Sequence, residues 1–242
     1  MAHATISDRR LAAALLLALA GCAPPPSAGP APAPAAAPAE AQAVRVPPSA
    51  ACAIPASERL VNVTAVDRTI RTDIRYATAN NFTGARLPGY ERPLAMLRPE
   101  VAEALARVQA RLRPDGYGLK VFDGYRPIRA TLAMVSWAER SGNAWVLEQG
   151  YVARQSGHNR GHTVDLTLVR LDGGAELDMG TAYDTFSEAA HTANATGAVR
   201  DNRARLLRAM EAEGFVNYSK EWWHFSRRGT YTPLDVPLSC FR

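Results

Sequence analysis

Between Ala23 and Ser49 the chain is nearly all alanine and proline, with nine of its 17 prolines, and apolar residues there recur at no helical or strand period. Such a stretch cannot build a core, so residues 22–51 read as a tether. In a polyproline-like form its 27 residues from Ala23 to Ser49 would reach on the order of 80 Å, at about 3.1 Å per residue. About 190 residues follow it, enough for one domain with a real core and not for two. Everything that folds and reacts is therefore expected in 52–242.

The residues before the tether have their own logic. Arg9 and Arg10 form a basic start, and Leu11 to Ala20 is an apolar run too short to span a bilayer as a helix. Residues 1–21 read as a secretory signal. The sequence Leu19-Ala20-Gly21-Cys22 resembles a bacterial lipobox, which makes Cys22 the lipidated first residue of the mature protein; an ordinary cleaved signal with an incidental cysteine is the alternative. The expected location is periplasmic, anchored to a membrane through that lipid.

Loss of Arg9, Arg10 and Asp8 with the signal lowers the formal charge from +5 to +4. That mild balance, without a long Lys/Arg block, implies no nucleic-acid partner and at most weak attraction to an anionic wall or lipid surface. Cys52 and Cys240 remain, one near each end of the domain, and in an oxidising compartment they are expected to form a disulfide; two free thiols are the alternative.

Within the domain, Pro99 can open a helix whose Val101, Leu105, Val108 and Leu112 share one face, ended by the turn Pro114-Asp115-Gly116. A strand over Leu119–Phe122 then leads to Asp123-Gly124, and Pro127 opens a second helix through Ile128, Leu132, Val135 and Trp137. Arg126 thus falls at a strand-to-helix junction. Val164, Leu166 and Leu168 alternate with Asp165 and Thr167 along another strand. A third helix is expected from Asn202 to Glu213, with Leu206, Leu207 and Met210 inward and Gly214 as its stop, followed by extended chain from Phe215 to Phe225. Three helices among strands, with no βαβ repeat or phosphate loop, predict an α+β domain with a small, mostly antiparallel sheet flanked by helices.

Three stretches carry the chemistry: Asp123-Gly124-Tyr125-Arg126-Pro127, Ser156-Gly157-His158 running to Asp165, and Glu221-Trp222-Trp223-His224. Two imidazoles and one carboxylate can hold a metal at three corners and leave the fourth for water. Glu221 then remains as a base and Arg126 as a cation for an oxyanion. Spacing alone does not choose among His158, His162, His191 and His224, and each of these residues also has an ordinary structural reading: surface carboxylate, salt-bridge partner, core tryptophan.

These stretches, with Tyr76-Ala77-Thr78, Asn81-Phe82-Thr83-Gly84, Asp165-Leu166-Thr167-Leu168 and Met179-Gly180 leading to Asp184, resemble the D-alanyl-D-alanine dipeptidases of the VanX type within the zinc DD-peptidase family. The likeness runs over most of Asp73 to Phe225 and implies the same α+β fold. It implies one Zn2+ per chain on His158, Asp165 and His224, with Glu221 as general base and Arg126 at the oxyanion. It also implies that Tyr76 and Asp184 receive the free amino end of a dipeptide, and that Ser156 meets its carboxyl end. His162 becomes a neighbour of the site, His191 a buttress, and Trp222 and Trp223 an apolar wall behind the metal.

The activity implied is hydrolysis of D-Ala-D-Ala in cell-wall peptide turnover or glycopeptide resistance. One departure stands out: Ser141–Gly150 is shorter than the corresponding insertion of the cytoplasmic resistance enzyme, which implies a more open pocket. Two other readings fit the same residues, a DD-carboxypeptidase trimming peptidoglycan stem peptides and a non-catalytic wall-binding module. Retention of both Glu221 and Arg126 weighs against the second.

Overall fold

A computed structural model describes residues 52–241. The expected signal peptide, Cys22 and the tether lie outside the described residues. In chain order these residues form β1 (Val61–Asn62), α1 (Val63–Val66), β2 (Arg71–Thr72), β3 (Met96–Leu97), α2 (Pro99–Leu112) and β4 (Tyr117–Asp123). There follow α3 (Ile128–Arg140), α4 (Trp145–Glu148), β5 (Thr163–Arg170), α5 (Gly197–Glu211), β6 (Phe215–Asn217) and β7 (His224–Arg227).

The fold is α+β. Its main sheet runs β2-β4-β5-β7-β6, and every neighbouring pair is antiparallel except β2 with β4. β5 is the middle strand and is buried from Thr163 to Val169, so its alternation separates two covered faces rather than core from solvent. Leu119, Val121, Leu166, Leu168 and Phe225 join one core with the inward faces of α2 and α5.

Helix α2 begins with Pro99 at its first position, where the missing N–H costs nothing, and buries Val101, Leu105, Val108 and Leu112 as the spacing predicts. Helix α3 differs from expectation. Pro127 stands just before it, and Leu132, expected inward, is 58% exposed; the buried face is Ala130, Thr131, Met134, Val135 and Ala138. The physical reason is close approach: Asn159 Nδ2 donates to Thr131 Oγ1 at 2.9 Å, so small residues face the neighbouring turn. Helix α5 starts at Gly197, five residues before the expected start, and it buries Arg203 beside Leu206 and Met210. The segment 215–225, expected as continuous extended chain, is a hairpin: Tyr218 to Trp223 turn between β6 and β7.

Cys52 and Cys240 are disulfide-bonded, their Cα atoms 5.3 Å apart across a sequence separation of 188. Both lie near the ends of the described chain, and neither lines the cleft. Among the described residues no helix is long and apolar enough to cross a membrane.

Candidate active site

Three local features bring the polar residues together. The first is the β5–β7 ladder, where Asp165 and His224 are directly paired, so their side chains project side by side from one face. The second is an irregularity in β4: register shifts between Val121 and Asp123, and this places Asp123 rather than Phe122 opposite Asp165. The third is the 3-10 turn Gly157–Arg160, entered through a capping box of Ser156 and Asn159 and left through Gly161 at φ 72°. A side chain at Gly161 would be strained by that φ and would also meet Leu60 Cδ2 at 2.6 Å. This bend is what turns His158 back to the face that Asp165 occupies.

His158, Asp165 and His224 converge, with one ligand atom from each lying within 4.8 Å of the others. His158 Nε2 is 3.4 Å from His224 Nδ1 and 3.3 Å from Asp165 Oδ2, while His224 Nδ1 is 3.0 Å from Asp165 Oδ1. Ligands bonded to zinc at about 2.0–2.1 Å in a tetrahedron stand about 3.3 Å apart, so the spacing suits such an ion. Asp165 Oδ1 is buried, and the polar group beside it is His224 Nδ1 at 3.0 Å, the spacing of two donors to one ion. His158 Nδ1 sits 2.7 Å from Gly124 O; donating there fixes the tautomer that leaves Nε2 with its lone pair. Burial lowers the His224 pKa, which favours the neutral ring that a metal needs. Burial pushes Asp165 upward, but His158 and His224 prevail and hold its carboxyl well below the usual range. The donor set and its protonation fit zinc.

Glu221 is buried at the edge of this cluster, its Oε2 3.5 Å from His224 Nδ1. Burial, with repulsion from Asp165 and Asp184, raises its pKa well above the ordinary carboxylate value. Arg126 is also buried. Its Nε and Nη2 donate to Asp123 Oδ2 at 3.0 and 2.9 Å, and Nη2 lies 3.8 Å from Asp165 Oδ2. Thus the guanidinium has the salt-bridge partner open to it in sequence. Nη1 donates to the Met134 sulfur at 3.2 Å, and both residues line the cleft. Asp123, which sequence reasoning passed over, is pinned from its other oxygen by Tyr90 at 2.5 Å. Its place three residues before Arg126 at a strand end was the available signal.

A cavity of about 250 Å³ opens over the cluster, lined among others by Tyr76, Arg126, Ser156, Asp184 and Glu221. That is below the span typical of drug-sized ligands, about 300–1,000 Å³, and suits a small molecule. Asp184 is half-buried, with φ 60°, an uncommon backbone setting for a residue with a side chain. The Tyr76 hydroxyl reaches both its carboxylate oxygens at 3.1 Å. Burial and the charge of Asp165 raise the Asp184 pKa well above normal, against the pull of Arg126. Ser156 Oγ accepts from His158 N at 3.2 Å, so its own hydrogen is available to the cavity.

Of the Ser141–Gly150 segment, Gly150 lines the cavity beside Tyr151, and three bonds tie this end of it to neighbouring chain. Gly150 O accepts from Tyr218, Gln149 O accepts from Lys220, and the Tyr151 hydroxyl meets His191 Nε2 at 3.1 Å. His191 therefore buttresses the wall. His162 stands apart from the ligand cluster, packed on Tyr231, with its pKa lowered by burial to about 4. Trp222 and Trp223 are buried, and Trp223 meets the ring of Tyr183 edge-on behind Asp165. Tyr183, bonded to Asp165, and Arg203, bonded to the carbonyls of the 179–194 segment, carried no sequence signal that singled them out.

A family model described as D-ala-D-ala dipeptidase matches residues 56–242. The D-alanyl-D-alanine dipeptidase of Enterococcus faecium is 39% identical over 187 residues, covering 70% of this chain and 93% of that protein. Its counterpart in Enterococcus faecalis is 40% identical over 171 residues, 64% of this chain and 85% of the relative. The Streptomyces coelicolor enzyme of the same description is 37% identical over 188 residues, 70% and 93% respectively.

Proposed function

On the premise that the chain belongs to the D-Ala-D-Ala dipeptidase family and is a zinc metallopeptidase, we propose that it hydrolyses the free dipeptide D-Ala-D-Ala to two D-alanines. The observation that carries this is Asp184, a half-buried carboxylate in a small cavity whose hydrogen-bond partner is the Tyr76 hydroxyl at 3.1 Å. An ammonium is the group that such a carboxylate accepts best. A longer peptide would bring an uncharged amide there, leaving polar groups unsatisfied at about 1–3 kcal/mol each.

Zinc held by His158, Asp165 and His224 supplies Lewis acidity that polarises a carbonyl and acidifies water. Glu221 takes the proton of the attacking water as its oxygen bonds to the amide carbon. Arg126 turns Nη1 to the oxyanion that develops there, held in place by Asp123. As the C–N bond breaks, Glu221 passes its proton to the departing amine. Tyr76 and Asp184 hold the substrate's ammonium, and Ser156 donates to its carboxylate.

The reading extends to location: a lipid on Cys22 and the 22–51 tether would hold the enzyme at a periplasmic membrane surface, within reach of peptidoglycan. Detergent-phase partitioning tests it, with wild type expected in the detergent phase and Cys22→Ala in the aqueous phase; equal partitioning would refute the anchor. Product analysis of zinc-loaded protein tests the substrate. D-Ala-D-Ala should yield D-alanine while a stem pentapeptide stays intact, and comparable release of terminal D-alanine from the pentapeptide would make the enzyme a DD-carboxypeptidase.

A further inference from the structure

Tyr183 has no part in the chemistry described so far, yet its hydroxyl lies 3.0 Å from Asp165 Oδ2 and 3.0 Å from the hydroxyl of Tyr76. Tyr76 in turn reaches both oxygens of Asp184 at 3.1 Å. Four side chains therefore form a continuous line from a metal ligand to the carboxylate at the far side of the cavity. The Tyr183 ring is gripped on two sides, stacked on Phe122 at 4.7 Å and edge-on to Trp223 at 5.5 Å, so its hydroxyl has a fixed position.

Proton counting makes this line informative. Its four side chains are joined by three links, the one to Asp184 shared between both carboxylate oxygens, whereas two phenols supply two protons. Hydrogen bonds to an ionised acceptor are roughly twice as strong as neutral ones, so in the state where both carboxylates are ionised, which the burial of Asp184 opposes, Tyr76 donates to Asp184 and Tyr183 donates to Asp165. The contact between the two phenols then has no proton of its own. When an ammonium engages Asp184, the demand of that carboxylate on the Tyr76 proton falls, and Tyr76 can turn its hydrogen to Tyr183. A phenol that accepts a hydrogen bond donates more strongly, which reinforces the bond from Tyr183 to Asp165.

We propose that Tyr183 is a positioning residue that fixes the outer oxygen of Asp165 and, through Tyr76, couples metal retention to recognition of a free amino group at Asp184. The coupling half rests on the reading of Asp184 as the ammonium receptor; the metal half does not. By linkage the effect is reciprocal, since a ligand that tightens the metal's carboxylate is itself bound more tightly when the metal is present.

The test compares wild type, Tyr183→Phe and Tyr76→Phe by zinc affinity, from competition with a chelator, and by the ratio of kcat/KM for D-Ala-D-Ala over N-acetyl-D-Ala-D-Ala. Phenylalanine keeps the ring packing, so the thermal midpoint of the zinc-free protein serves as a folding control. Loss of such an outer partner typically weakens metal binding about 10- to 100-fold, and Tyr183→Phe should fall in that range while also lowering the substrate ratio several-fold. Tyr76→Phe should lower the ratio but change zinc affinity less than about twofold, because Tyr183 still donates to Asp165. Unchanged zinc affinity in Tyr183→Phe overturns the metal half, and an unchanged ratio overturns the coupling. Asp184→Ala separates the underlying reading: if it leaves the ratio intact, the ammonium assignment is wrong, and the zinc measurement still decides the role of Tyr183.

Discussion

The metal side of the cleft stands on the sheet, whereas the substrate side stands on irregular chain held by bonds from side chains to backbone. Asp165 and His224 are paired across the β5–β7 ladder, and His158 comes from a turn whose backbone bonds to Arg126. Opposite them, Asp184 lies in the 179–194 segment, which has one short 3-10 turn and is fastened by buried Arg203. That guanidinium donates to the carbonyls of Met179, Ala189, His191 and Asn194. A buried arginine among carbonyls rather than carboxylates is an expensive fastener, and burial lowers its pKa from the ordinary arginine value. The contrast teaches that sheet register sets two of the three metal ligands and one capped turn sets the third, while a pocket wall made of loops needs dedicated clamps.

The strongest way to break this comparison is to attack the metal side. Alanine at His158, Asp165 or His224 should each lower zinc content, whereas Glu221→Ala should keep the metal and lose about 10²- to 10⁴-fold in kcat, the usual contribution of a general base. Metal analysis that finds a full zinc complement in His224→Ala, or none in Glu221→Ala, would reverse those roles.

On the substrate side, N-acetylation of D-Ala-D-Ala removes the charge that Asp184 is proposed to receive. Loss of a buried ionic contact costs about 3–5 kcal/mol, so kcat/KM should drop on the order of a hundredfold or more, and Asp184→Ala should narrow the gap. Equal turnover of both substrates would show that the Asp184 end of the cavity is open to longer peptides.

Arg203→Met sharpens the comparison further. Each carbonyl left unpaired costs about 1–3 kcal/mol, which should raise hydrogen exchange across 179–194 and raise KM, with zinc content and exchange in β5 and β7 unchanged. If β5 and β7 exchange faster as well, the two sides are not separately supported. Smallest in its effect on turnover is the Cys52–Cys240 bond. Its replacement by serines should cost about 2–5 kcal/mol of stability, read from denaturant melts, and leave kcat/KM as it was.

Local features of the sequence carried far into this structure. Proline at the start of α2, the apolar repeat within it, and the Asn159-Arg160-Gly161 bend that must rotate His158 toward Asp165 all follow from backbone rules acting over a few residues. Leu132 shows where that reasoning fails. An apolar residue at the right helical period is left exposed because the side of α3 that meets the Asn159 turn must be small and must offer a hydroxyl from Thr131. The irregularity in β4 that sets Asp123 against Asp165 is equally invisible in a string of letters, since it exists only relative to a partner strand.

What the sequence by itself determined is the set of groups and their local presentation: two histidines and an aspartate able to hold a metal, a glutamate and an arginine beside them, and the turns that free them from their strands. Tertiary structure alone decided the pairing of Asp165 with His224, the line from Asp165 through Tyr183 and Tyr76 to Asp184, and the Arg203 clamp. The reason is range: period and capping act within a few residues, whereas these contacts join groups separated by up to 108 positions and exist only after the core brings them together.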